Sequence, residues 1–191
     1  MDVENARLRI ERESSLLREA IERTDRAACL AQYLEAGNKL IDGIDTAAME
    51  LSLTLLQTTE MMNYDLESAA IRKFGFTNAS FHLAFVVALS QTIEGAKLPT
   101  VTNMSRATVS NITKTLEKNG IVRKEPHPTD GRGMMLSITP EGFSKVIRAW
   151  SAVNKRERKW AEALTPVERE RLIKLLRKLS SRDDRQIKRR G

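Results

Sequence analysis

Between Ser105 and Lys114 the chain places small, hydroxylated, amide and cationic side chains along one side of a predicted helix. Val109, Ile112 and Leu116 recur at helical spacing and mark the core side. Arg106, Ala107, Ser110, Asn111 and Lys114 then share the opposite face, with Thr108 and Thr113 at its flanks. Such a face can read nucleic-acid bases: arginine offers a fork to guanine, asparagine pairs with adenine, and small side chains meet a thymine methyl. Ser105 stands where an N-cap belongs, which leaves the first N–H groups and the positive end of the helix dipole near phosphates. Further on, Asp130 and Arg132 lie two residues apart in the Pro- and Gly-rich loop 126–133. In extended backbone that spacing puts both side chains on one side, so the carboxylate can brace the guanidinium for a minor groove. Two plainer readings stay open: an ordinary amphipathic surface helix, and an Asp–Arg pair that only stiffens a hairpin.

Other chemistry is not expected. No phosphate loop, nucleophile elbow or paired carboxylate beside a histidine is visible, so the chain does not read as an enzyme. His82, His127 and Cys29 lack metal-ligand spacing, and neither a metal nor another cofactor is expected.

The elements that must position the reading face follow from its flanks. Leu98, Val101 and Met104 keep apolar spacing before it, while Pro99 confines any helix there to a short stretch starting near Leu98. Asn119-Gly120 is a left-handed stop, after which Ile121–Glu125 begins a hairpin, whose Lys124 is a further candidate DNA contact. Met134, Leu136 and Ile138 alternate with Met135 and Ser137 as its return strand, and Thr139-Pro140 caps the next helix. This order describes a winged helix-turn-helix, with one helix for the major groove and a β-loop for its neighbour.

Around that segment the chain reads as mainly α. Helices are expected over 3–35, about 45–72 and about 78–93, with Gly37 and Gly43 punctuating two ends, Thr77 capping the third and Gly95 stopping it. Phe143, Val146, Ile147, Trp150 and Val153 follow at helical spacing. Thr165-Pro166-Val167-Glu168 is a capping box that opens a last helix with Leu172, Ile173, Leu175, Leu176 and Leu179 on its apolar side. The organisation expected is an N-terminal extension 1–44, a dimerisation helix and core helix 45–97, a DNA-binding lobe 98–142, C-terminal dimerisation helices 143–180 and a basic tail 181–191. The net charge of +7 is uneven: residues 143–191 carry ten more basic than acidic groups, and residues 1–97 carry five more acidic than basic. That excess suits a polyanion, or merely solvates amphipathic helices. No apolar run reaches the roughly 18 residues of a membrane span. The N-terminus lacks a signal core and the single Cys29 fits a reducing compartment, so a cytoplasmic location without membrane contact is expected.

Asp130-Gly131-Arg132, Leu136 and Ile138-Thr139-Pro140-Glu141-Gly142, together with Ser105–Val109 and Leu116–Val122, resemble the multiple-antibiotic-resistance regulator (MarR) family of bacterial transcription factors. The resemblance covers residues 45–180 and leaves 1–42 outside as an extra N-terminal helix. It implies an obligate homodimer joined by N- and C-terminal helices, which binds a palindromic double-stranded DNA operator, most often as a repressor. It also implies a pocket for a small aromatic effector, for which Met61, Met62, Tyr64, His82, Phe85 and Trp150 are candidates by position. Each of these also fits as plain core. Pro99 departs from the family pattern, and the tryptophan of the urate-responsive branch has no N-terminal counterpart. Cys29 lies in an apolar setting that suits a buried structural thiol better than an oxidant sensor. The rival from another class is a winged-helix interaction or replication module without a regulatory ligand.

Overall fold

The structure is a computed structural model, and it describes residues 18, 19, 21–23, 25–128 and 133–181. The chain divides into two compact units, 1–61 and 62–191.

In the first unit, α1 (Arg26–Leu40) starts at Asp25, whose carboxylate accepts the Ala28 N–H in place of the missing helical partner. The helix α2 (Thr46–Leu66) starts in the same way at Asp45, which accepts the Ala48 N–H, and its later residues belong to the second unit. Gly37, expected at a helix end, lies inside α1 and is buried. A Cβ there would stand 3.1 Å from the Met49 sulfur and 3.2 Å from an Ile44 methyl, so the glycine serves close packing instead. Of the helix expected over 3–35, residues 3–17, 20 and 24 lie outside the described residues; the observed α1 runs five residues further, through Gly37.

In the second unit the end of α2 widens into a π turn, Glu67–Ile71, and tightens into a 3-10 turn, Arg72–Phe74. Thr77 and Ser80 form a reciprocal capping box that opens α3 (Asn78–Ser90). Glu67 accepts the Asn78 N–H, and the Asn78 amide donates to the Asn63 carbonyl, which ties the start of α3 to the end of α2. Leu83, Ala84, Val87 and Ala88 make α3 the centre of the core. Ile71, Phe76, Leu98, Val109, Leu116, Ile121, Leu136, Val146, Ala149 and Val153 close around it.

The helix α3 ends at Gln91 rather than at Gly95. Gln91 takes a left-handed φ of 58°, its side-chain amide donates to the Ala88 carbonyl, and its own carbonyl accepts the Ile138 N–H. That reversal starts β1 (Thr92–Glu94), a strand the sequence reading did not foresee. A 3-10 turn, Gly95–Lys97, leads to the short α4 (Leu98–Thr102), then α5 (Arg106–Lys118), β2 (Val122–Pro126) and β3 (Met134–Ile138). The sheet is antiparallel in the order β1-β3-β2, with Ile93 opposite Leu136 and Val122 opposite Ile138. Two long helices follow, α6 (Pro140–Ala161) and α7 (Pro166–Ser180), each with threonine at its N-cap and proline in its first turn. The expected mainly helical winged helix-turn-helix is thus present, with a third strand at its edge.

Candidate nucleic-acid interface

The short α4 begins where Pro99 required and sets the angle at which the chain enters α5. Leu98 and Thr102 are its buried residues, and the Thr102 hydroxyl donates to the Leu98 carbonyl so that its polar atom is satisfied. Val101, expected on the apolar side, is 55% exposed; Thr102 takes the inward place because a five-residue helix turns only one narrow side to the core. Asn103 closes α4 at φ 56°, a left-handed conformation that asparagine tolerates.

Ser105 caps α5: its hydroxyl accepts the Thr108 N–H at 3.1 Å and lies 2.8 Å from the Thr108 hydroxyl. Val109, Thr113 and Leu116 are buried and Ile112 packs against the core. Thr113, expected at a flank, is buried because its hydroxyl turns back to the Val109 carbonyl and leaves its methyl to the core. Arg106, Ala107, Ser110, Asn111 and Lys114 are all exposed, as is Thr108. Among the described residues no carboxylate pairs with Arg106 or Lys114. Their charge is available to a phosphate or a base edge.

Lys124 differs from these. It is half-buried on β2, and its ammonium stands 3.2 Å from the Glu117 carboxylate, so it ties the base of the wing to the end of α5. Beside it, Leu98, Pro99, Val109, Met134 and Leu136 line a cavity of about 490 Å³ whose polar rim includes Arg106, Ser110 and Lys124. The wing is held in register by five paired positions from Val122 to Pro126, and beyond them the His127 N–H donates to the Gly133 carbonyl. Asp130 and Arg132 lie outside the described residues, between these two strands in sequence.

The base of the wing is joined to α6 by the Ile-Thr-x-x-Gly run. The Thr139 N–H donates to the Ile121 carbonyl at 3.1 Å, its hydroxyl donates to Gly120 at 2.6 Å, and that oxygen accepts the Gly142 N–H. Gly142 then lies against Ile121, where a Cβ would stand 2.8 Å from its carbonyl carbon and 2.9 Å from its Cα. Only glycine fits there, which gives the sequence pattern its physical reason.

Of the candidate effector residues, Phe85 and Trp150 meet edge-to-face with ring centroids 4.8 Å apart, and Phe81 stacks on Phe85 at 5.9 Å. Trp150 remains 41% exposed and Tyr64 74% exposed, while His82 is exposed on α3. Met61, in the first unit, is 40% exposed. Cys29, expected buried, is half-buried. The sequence reading missed Asp65. This carboxylate on α2 accepts two hydrogen bonds from the Arg156 guanidinium at 2.6 Å and one from the Trp160 indole at 2.7 Å. Those bonds, with Arg156 foremost, hold its pKa below the usual carboxylate value, and they raise that of Arg156. No local spacing could have announced a pair 91 residues apart.

Among the described residues no helix is long and apolar enough to cross a membrane, and no cluster of metal-ligating side chains occurs. Residues 76–134 match the model of the MarR family. The chain is similar to the uncharacterized HTH-type transcriptional regulator YwaE of Bacillus subtilis, with 24% identity over 140 residues, which cover 73% of this chain and 82% of that protein. Its fold is similar to that of Sco3205, a MarR family transcriptional regulator from Streptomyces coelicolor solved in complex with DNA. The TM-score there is 0.66 at 22% identity, over 72% of this chain and 91% of that one. The PcaV transcriptional regulator from Streptomyces coelicolor, solved with its natural ligand, matches with a TM-score of 0.61 at 17% identity, over 74% and 99% of the two chains. Residues 76–134 are thus similar to the MarR family model, and the chain shares the winged helix-turn-helix fold of a solved MarR family regulator.

Proposed function

We propose that the protein is a DNA-binding transcriptional regulator, a homodimeric repressor that reads a palindromic operator in the cytoplasm and is released by a small aromatic effector. The observation that carries the reading is the outward face of α5. A capped helix presents Arg106, Ala107, Ser110, Asn111 and Lys114 to solvent with neither cation paired among the described residues, and a hairpin wing stands beside it. In this reading α5 enters the major groove, Arg106 and Asn111 read base edges, and the Ser105 cap and Lys114 meet phosphates. Lys124 acts mainly through Glu117, by fixing the wing against α5. The same reading gives Arg132 a contact in the minor groove, with Asp130 as the brace expected from their spacing in sequence.

The dimer is supported by α7, which buries none of its residues within the chain, and by the exposed Phe143, Ile147 and Trp150 on α6. The effector is supported by the Phe81, Phe85 and Trp150 ring cluster, whose outer face is open, with His82 and Tyr64 exposed on the elements that carry or adjoin it.

The test is selection of bound duplexes from a random DNA pool by the full chain, followed by titration of the selected site with salt. Two inverted half-sites about one helical turn apart are expected, with an affinity that falls steeply as salt rises. A single asymmetric site, or no enrichment at low salt, would overturn the reading in favour of a winged-helix interaction module.

A further inference from the structure

The helix α6 has three faces, and only two of them are accounted for. Gly142, Val146, Ala149 and Val153 enter the core, and Phe143, Ile147 and Trp150 form the exposed apolar face. The third carries Arg148, Ser151, Ala152, Lys155, Arg156 and Lys159, and it faces the π and 3-10 turns at Ala69, Lys73 and Phe74 across a cavity of about 550 Å³.

The charge of this cavity is one-sided. Five cations line it, Lys73, Arg148, Lys155, Arg156 and Lys159, and no carboxylate does. Asp65 compensates Arg156 through its two hydrogen bonds. Among the described residues Lys73, Arg148, Lys155 and Lys159 have no carboxylate within ion-pair distance, although Lys159 is attracted to Asp65 at longer range and Glu67 is taken by Arg72. Gathering four like charges around one concavity costs repulsion that a solvated convex face would avoid. The walls between them are apolar: Ala69, Ala152 and the Phe74 ring, with the Lys73 ammonium 5.3 Å from that ring's centroid. A cavity of this size suits a small molecule.

We propose that this cavity is a binding site for a small, multiply charged organic anion, of the di- or tricarboxylate or phosphorylated class. Two or more anionic groups would meet Arg148, Lys155, Lys159 and Lys73, the arginine through paired N–H donors. The carbon skeleton would lie against Phe74 and Ala152. The site is separate from the reading face. Residues 148–159 stand roughly 12 to 28 Å along α6 from its start beside the wing, at about 1.5 Å per residue. It also lies on the opposite side of α6 from Trp150, so it is not the aromatic cluster discussed above.

The experiment is calorimetric titration of the full-length protein with citrate, phthalate and inorganic pyrophosphate at a constant, physiological ionic strength of about 0.15 M. It is repeated with the Arg148→Gln/Lys155→Gln double variant. Both changes are on exposed positions, and retention of the far-UV helical spectrum and unfolding temperature checks the fold. Saturable binding of at least one probe, weakened tenfold or more in the double variant, is the result expected. Absence of saturable binding by all three, or equal binding by the variant, would overturn the site. Affinity for a mixed-sequence DNA duplex is measured alongside. It is expected to change less than threefold in the double variant; a loss matching that of the probes would reassign the face to DNA and overturn the proposal.

Discussion

At the scale of single residues, the junction of Gly142 and Ile121 decides how the wing is joined to the helical body. The Ile121 carbonyl cannot retreat from an added methyl, because it accepts the Thr139 N–H and lies within reach of the Thr139 hydroxyl. Gly142→Ala is therefore expected to destabilise the protein by roughly 1–3 kcal/mol, the usual cost of overpacking. Thermal unfolding followed by circular dichroism should show a midpoint lower by several degrees, and an unchanged midpoint would mean that the backbones can part. Arg132 is the corresponding test of the reading face. If its guanidinium enters a groove, Arg132→Ala weakens operator binding by about tenfold or more, the scale of a lost contact of roughly 1–3 kcal/mol, without moving the unfolding midpoint. Wild-type affinity of that variant in a gel-shift assay would remove Arg132 from the contacts.

At the scale of elements, local chemistry made much of this fold legible. The caps at Thr77, Ser105, Thr139 and Thr165 all lie at helix starts, because a side-chain oxygen for an orphan N–H is a requirement satisfied within three residues. The outward residues of α5 were legible for the same reason, since one helical period fixes which side Val109 and Leu116 bury. What escaped the sequence depends on distant partners. β1 is three residues long and exists only because β3 lies beside it, and α3 ends at Gln91 because Ile138 supplies a donor there. The pairing of Lys124, a candidate DNA contact by sequence, with Glu117 was likewise not announced by spacing. The Asp65 clamp is the clearest instance, and its pH dependence is testable. Its folded pKa is depressed, so the stability it contributes is present above the unfolded carboxylate pKa, about 4, and is lost as the pH falls through the lower folded value. Asp65→Asn should therefore unfold at a lower temperature than the wild type at pH 7, and the gap should narrow steadily below about pH 4. A gap that stays constant down to about pH 2.5 would show that the bonds and not the charge carry the contribution.

At the scale of the whole molecule, the question is what covers α7. A 15-residue helix with no buried side chain is marginal in water by itself, yet Leu172, Ile173, Leu175, Leu176 and Leu179 lie along it between 39% and 52% exposed. In the proposed dimer these side chains meet their counterparts on a second copy. Full burial of such a side chain is worth about 1.5–3 kcal/mol, so covering the remaining two-fifths of Leu172 and Leu176 contributes of order 1 kcal/mol each. A symmetric interface counts each twice, and a carboxylate in its place must also be desolvated. Leu172→Asp/Leu176→Asp is thus expected to weaken association by about 4 kcal/mol or more, roughly a thousandfold in dissociation constant. Sedimentation equilibrium at micromolar concentration should then find monomers where the wild type is dimeric, with helical content nearly unchanged. Because two half-sites are held by one dimer, the same variant should lose the preference for paired sites while keeping weak, salt-sensitive affinity for a single half-site. A variant that stays dimeric at micromolar concentration would place the interface elsewhere, with residues 1–44 as the next segment to remove.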